Sequence, residues 1–314
     1  MRAISTRSKV YAAILALLLI IFGIMKLARA LNPNIEDSNI AQGDSFSFLF
    51  MSDTKIDPTR LDYSSYGELL SKAVDVGDPT LVVFGGDSIF FGGDPLEWRE
   101  FFKAAGSAFD DRITASVSGD YDSHTLFPGQ FDQPKDLEGG LIGYSYSFSL
   151  NSVFFVMFDS NTPETASEEK LEWLNKTLQS EAAAQSKWQI VVMHHPMWSV
   201  TDDSHDAKRA EFMQEHFLPL MSNAGVDLIL CGHQQYYSRT TPLSPGDATN
   251  TDGGIVQIMA ASGEAGSSKV GNVGYIARSG VAPNFVLLTA FENEIFITAH
   301  DYNGEVFDEY LLSK

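Results

Sequence analysis

A single cysteine, Cys231, stands in 314 residues. That excludes an internal disulfide and any cysteine-based zinc site. Positive charge is also scarce, with 21 lysines and arginines against 41 aspartates and glutamates, a formal charge of −20. So acidic a surface repels phosphate backbones, which argues against a nucleic-acid partner bound through counterion release. Long apolar runs are missing except one near the N-terminus, so the chain is not a polytopic membrane protein. There is no internal repeat, and no Pro/Gly/Ser-rich stretch divides the chain after residue 45. What is present is ordinary globular composition, 44% apolar, 12% aromatic and 20% charged. That suits one large α/β domain or two small ones.

Residues 1–30 read as targeting rather than fold. Arg2, Arg7 and Lys9 form a basic opening without an acid, and Val10 to Met25 carries no charge. Ala28 and Ala30 then offer the small-x-small spacing that signal peptidase accepts. Sixteen uncharged residues span about 24 Å as a helix, short of a ~30 Å hydrocarbon core. Extending the span through residue 31 requires Lys26 and Arg29 to snorkel. Two expectations stay open: a cleaved signal peptide, or an uncleaved signal anchor touching membrane only through residues 10–31. Both put the rest in the secretory lumen, outside the cell, or on the non-cytosolic side of a single span. The sequon Asn175-Lys176-Thr177 is compatible with those compartments. Residues 31–44 are polar and read as a linker, leaving 45–314 as the expected domain.

Within that domain, apolar strand-like runs occur at 46–51, 81–84, 113–117, 153–158, 189–193, 226–231, 254–259 and 285–291. Helical patterns occupy 66–76, 97–105, 168–184 and 207–222, with Thr165 and Glu168 at capping-box spacing. Residues 144–150 and 153–158 alternate around Asn151-Ser152 as a hairpin, and Asn303-Gly304 predicts a type I′ turn. Strands alternating with helices, then a closing run of strands, predict a mixed α/β layer fold.

Five strands end alike: in Asp53, in Gly86-Asp87, in Gly119-Asp120-Tyr121-Asp122, in His194-His195 and in Gly232-His233. Sites in open α/β sheets gather at the carboxyl ends of strands. A lone aspartate after a strand is usually a turn or cap residue. Five such endings in succession instead suggest oxygen and nitrogen ligands for a metal.

In these residues the chain resembles the calcineurin-like metallophosphoesterases, within them the purple (tartrate-resistant) acid phosphatases. The ordered signature of that family is an Asp after the first strand, then GD, GNH[DE], a strand-end His and GHxH. Here it stands as Asp53, Gly86-Asp87, Gly119-Asp120-Tyr121-Asp122, His194 and Gly232-His233-Gln234-Gln235. The resemblance covers residues 46 to 312 and implies a four-layer α/β/β/α sandwich of two mixed sheets holding two metals.

Departures from the signature matter as much as the match. The resemblance assigns the first metal to Asp53, a bridging Asp87, position 90 or 55, and the second His of GHxH. Those last positions hold Phe90, Lys55 and Gln235, so the first half-site is eroded. An ammonium on Lys55 is expected to lie between Asp53 and Asp87 in place of that metal, since buried carboxylates need a cation. The second metal would take Asp87, Asp120, His194 and His233, a sound set for one divalent zinc, manganese or iron. A dinuclear centre is not expected. The signature His, which sits beside the phosphate in the family, is Tyr121 here, and a phenol is a poor proton shuttle at lumenal pH. Asp122 is expected to orient its neighbours. His195, His124 and His205 lie near the motifs as possible substitutes for the missing His.

Three functions follow as expectations: a weak or inactive phosphatase-like protein acting as a scaffold or anchor with a protein partner, a working phosphate-ester hydrolase with a mononuclear or altered site, and a binding module for phosphate or metal. Removing the five positive charges of residues 1–30 takes the formal charge from −20 to −25, which disfavours efficient turnover of anionic substrates.

Overall fold

A computed structural model describes residues 45–314, apart from 58, 123–125, 132–137, 143–144, 162–166, 202, 247–252, 264–270, 272 and 281, and apart from the side chains of 128, 138–142 and 167. The expected targeting segment, the linker, Thr165 and His124 lie outside the described residues. The elements run β1 (Phe46–Met51), α1 (Ser64–Gly77), β2 (Leu81–Phe84), α2 (Pro95–Ala105), β3 (Ile113–Ser116), β4 (Glu138–Ile142), β5 (Ser145–Leu150) and β6 (Val153–Phe158). Next come α3 (Ser167–Leu178), α4 (Glu181–Gln185), β7 (Trp188–Met193), α5 (Ser204–His216), α6 (Leu218–Ala224), β8 (Leu228–Cys231) and β9 (Tyr237–Thr240). The chain closes with β10 (Val256–Met259), β11 (Ile276–Gly280), β12 (Asn284–Ala290), β13 (Glu294–Asp301) and β14 (Val306–Ser313).

Two mixed sheets result. One has the order β14-β13-β12-β1-β2-β3, the other β11-β9-β10-β8-β7-β6-β5-β4. Each holds a parallel run: β1 with β2 and β2 with β3 in the first sheet, β6 with β7, β7 with β8 and β8 with β10 in the second. Most of these strands are largely apolar because both of their faces are covered. Side-chain alternation divides them between separate cores. Phe46, Phe48 and Phe50 of β1 meet Phe155, Ile190 and Leu230 between the sheets. Leu49 and Met51 face the other way, onto Tyr66 and Leu70 of α1 and Trp98 and Phe101 of α2. Phe154, Val156 and Phe158 of β6 pack outward on Trp173, Met213 and Met221 of α3, α5 and α6. Three cores between four layers make the α/β/β/α sandwich that the resemblance implied.

Local chemistry sets where helices start and stop. Asp94 caps α2 by accepting from the Leu96 N–H, with Pro95 leading the first turn. Asp203 caps α5 by accepting from the N–H groups of His205 and Asp206. Two expected helices are each two. The 168–184 pattern breaks after Leu178 because the Ser180 side chain caps α4, and the 207–222 pattern breaks at Phe217, where Pro219 opens α6. The Asn303-Gly304 connection is also not a type I′ turn. Of the pair only Gly304 has positive φ, +85°, and the Gly304 N–H donates to the Asp301 carbonyl in a longer loop.

Candidate functional site

The parallel register aligns Met51, Phe84 and Ser116 at one edge of the first sheet, so the loops after β1, β2 and β3 leave side by side. Met193 and Phe158 are likewise paired in the second sheet. Asp53, Asp87, His233 and Gln235 all adopt the left-handed backbone, with φ of 53°, 54°, 71° and 57°. Such conformations cluster where a side chain is aimed for function. Glycines make the crowding possible. A Cβ on Gly119 would fall onto Asp87, and one on Gly232 onto Ser52 and Asp53.

Asp53 and Asp87 are buried and share one cation. The Lys55 ammonium donates to Asp87 Oδ2 at 2.7 Å and to Asp53 Oδ1 at 3.2 Å. Asp53 Oδ2 accepts from the Ser52 hydroxyl and the His233 N–H, both at 2.8 Å. Asp87 Oδ1 accepts from the Tyr121 N–H at 3.0 Å. Burial works against the charge on Lys55, but the two carboxylates outweigh it and raise its pKa well above the ordinary lysine value. Burial likewise opposes the Asp87 carboxylate, yet His194 and Lys55 hold its pKa far below the usual range.

His194 is fully buried beside this pair. Its Nδ1–H donates to the Gly85 carbonyl at 2.7 Å, which leaves Nε2 facing Asp87 Oδ2 at 3.5 Å and Asp120 Oδ2 at 3.7 Å. Nε2 is buried and makes no hydrogen bond. A buried nitrogen that faces two carboxylates without a close hydrogen bond is placed as a metal ligand would be. His233 Nε2 pairs with Asp206 Oδ1 at 2.8 Å and its Nδ1 with Asp120 Oδ2 at 2.9 Å. The carboxylate behind the ring fixes its orientation, again the arrangement of a ligating histidine. The donors fall in two groups: Asp120, His194, His195 and His233 in one, Asp53, Asp87 and His194 in the other. Without a metal, burial pulls the His194 pKa down but Asp87 outweighs it, and the value is pushed up to about 10.

His195 is a neutral donor in this geometry. Ser160 Oγ accepts from the N–H groups of His194 and His195, at 3.1 and 3.0 Å. Its own hydroxyl proton is thus directed at His195 Nδ1, 3.0 Å away. That leaves the proton on Nε2, which stands 3.2 Å from both oxygens of Asp120. Burial, with His194 and His233 nearby, lowers the His195 pKa to about 3 despite the bond to Asp120. Asp122 lies beneath the site, not in it. Its Oδ2 accepts from the N–H groups of Asp87 and Gly119 at 2.8 and 2.9 Å, its Oδ1 from that of Ser88 at 3.1 Å.

Of the remaining positions, Tyr121 is 42% exposed, its ring 5.0 Å from the Lys55 ammonium and 4.7 Å from the Phe90 ring. His205 is exposed on the first turn of α5, its N–H on Asp203. Gln235 is half-buried, whereas its neighbour Gln234 braces the site: its amide donates to Asp206 Oδ2 at 2.8 Å and accepts from the Val200 N–H. Ser160, Asn161, Lys170, Asp206 and Arg209 also line or brace the site, and no local sequence pattern marks them. Lys170 donates to the Asp159 and Asn161 carbonyls, and the Asn161 amide to that of Ser118. These bonds tie the loop after β6 to the loop after β3. Asp206 and Arg209 sit three residues apart on one face of α5, a spacing too common to have marked them.

Residues 46–237 match the family described as calcineurin-like phosphoesterase. Purple acid phosphatase 18 of Arabidopsis thaliana is 28% identical over 141 residues, 42% of this chain and 32% of that protein. The chain thus matches about a third of that relative's length. Among solved structures, purple acid phosphatase PPD1 of yellow lupin superposes with a TM-score of 0.66 at 17% identity, covering 87% of this chain and 54% of that one. GAP50, the anchor in the inner membrane complex of Plasmodium, superposes with a TM-score of 0.65 at 19% identity, covering 86% of this chain and 89% of that one. Both structural likenesses concern the fold.

Proposed function

The chain belongs to the calcineurin-like phosphoesterase family, and from that premise we propose an acid-phosphatase-like domain that binds one divalent metal and phosphate esters but hydrolyses them weakly or not at all. Its place is the secretory lumen or the cell exterior, free or on a single N-terminal anchor. The observation that carries this reading is the Lys55 ammonium on both Asp53 and Asp87. Two-metal hydrolases clamp the attacking and leaving oxygens together. An ammonium matches charge but offers no open coordination position, so it cannot activate water. Asp120, His194 and His233 of one donor group, with Asp87 of the other across the shared His194, would hold the remaining metal, zinc, manganese or iron(II), which supplies Lewis acidity toward a phosphoryl oxygen. Around it, His195 Nε2–H is a neutral donor and Asp206 holds His233 in place. Tyr121 presents an exposed aromatic face where the family carries a histidine.

A second reading, a scaffold or anchor with a protein partner, draws on the same eroded ligands and on the near full-length likeness to a protein described as an anchor.

Metal analysis of the purified full chain, with phosphomonoesterase assays from pH 4 to 8, tests both. One metal per chain with slow turnover, or none, is expected. Two metals with rapid turnover overturn the proposal, while neither metal nor turnover favours the scaffold.

A further inference from the structure

Lys55 is spent on Asp53 and Asp87, so beyond the one metal an oxyanion in the site needs a second positive group to hold its remaining oxygens. Arg209, in the second turn of α5, supplies one. Its side chain is 13% exposed, and Nη1 lies 3.7 Å from Asp120 Oδ1, an ion-pair distance beyond hydrogen-bond reach. Its Nε is buried and has no partner among the described residues. A guanidinium carries five N–H donors in a rigid fork, and leaving a buried donor unsatisfied is costly. Asp120 gives no relief at this distance, since it stands beyond hydrogen-bond reach of Nη1 and Nε bonds to nothing described. Asp206, one turn earlier on the same face, fixes His233. One helix thus brings to the site both the carboxylate behind a candidate ligand and a guanidinium with donors to spare.

We propose that Arg209 is the oxyanion-binding residue of the site, its Nε–H and Nη–H fork receiving two oxygens of a phosphoryl group. Planar bidentate pairing of this kind is how arginine recognises phosphate, and lysine does not reproduce it. The inference rests on the phosphate-ester reading of the site and adds the residue that selects for the phosphoryl group.

The test is calorimetric titration of inorganic phosphate into the metal-loaded full chain, into Arg209→Gln and into Arg209→Lys, with metal content and thermal unfolding measured on all three. Arg209→Gln is expected to weaken phosphate binding about tenfold or more, the scale of a lost charged hydrogen bond. Arg209→Lys should fall between, with metal content unchanged in both. If the wild-type chain ignores phosphate, the phosphate-ester reading fails. Should it bind phosphate and Arg209→Gln bind equally well, the inference alone fails. It also fails if Arg209→Gln loses metal together with phosphate, because Arg209 then serves Asp120 and not the anion.

Discussion

The Asp53–Lys55–Asp87 triad decides what the site can do, and it is testable one residue at a time. Lys55 and both carboxylates are at least nine-tenths buried, so removing the ammonium strands two charges away from water. Breaking a buried pair in this way costs about 3–5 kcal/mol. Lys55→Ala should therefore lower the unfolding temperature sharply without metal, and added manganese should restore much of it by taking the vacated place. An unchanged unfolding temperature with no response to manganese would show that the ammonium does not carry that charge balance. His194 gives a second prediction. Its pKa, about 10 in the metal-free protein against an ordinary 6.5, keeps the ring an imidazolium at neutral pH. That proton stabilises the metal-free fold fully below about pH 6.5, and the contribution is lost as pH rises through about 10. A metal must displace it, so metal affinity should rise about tenfold per pH unit between 6 and 8. Titrations at pH 6, 7 and 8 with a flat affinity would contradict this account.

At the level of elements, the site is held together by loops that follow parallel strands. Asp122 fastens two of them, because its carboxylate collects N–H groups from the loop after β2 and from Gly119 after β3. Asp122→Ala leaves those donors buried without acceptors, at about 1–3 kcal/mol of stability each if unrelieved. Urea denaturation should show the loss and metal analysis a poorer retention of metal. A variant as stable as the parent would mean that water replaces the carboxylate. The same scale explains what was legible in the sequence. Apolar runs that end in Asp or His mark strands and the residues at their carboxyl ends directly, so the gathering of Asp53, Asp87, Asp120, His194 and His233 is legible in the sequence. Ser160, Asn161, Lys170 and Arg209 act through contacts between loops or from a helix flank, and no local pattern marks them. β9 and β11 escaped because Tyr237–Thr240 and Ile276–Gly280 are too short or too polar to stand out from loops. The two broken helices escaped because apolar periodicity runs across Ser180 and Pro219, whose caps and missing N–H decide the boundaries.

Across the whole molecule, net charge and local charge oppose one another. The chain carries −20 overall, yet Lys55 and Arg209 stand within the carboxylate cluster that would receive an anion. The range of each field then depends on salt. At 0.01 M ionic strength the screening length is about 30 Å, so an approaching phosphate feels the repulsion of most of the surface. At 0.15 M it falls to about 8 Å, and only the groups lining the site still act. Buried pairs are screened far less than exposed charges, so Arg209 keeps most of its attraction while the surface loses its repulsion. Phosphate affinity should therefore rise on going from 0.01 to 0.15 M sodium chloride, opposite to the usual trend for anion sites on basic proteins. The rise should survive in Arg209→Gln, whose weaker binding starts from the same surface repulsion. Titrations across that salt range in which affinity falls steadily would mean that exposed local charges, and not the acidic surface, govern the approach of the anion.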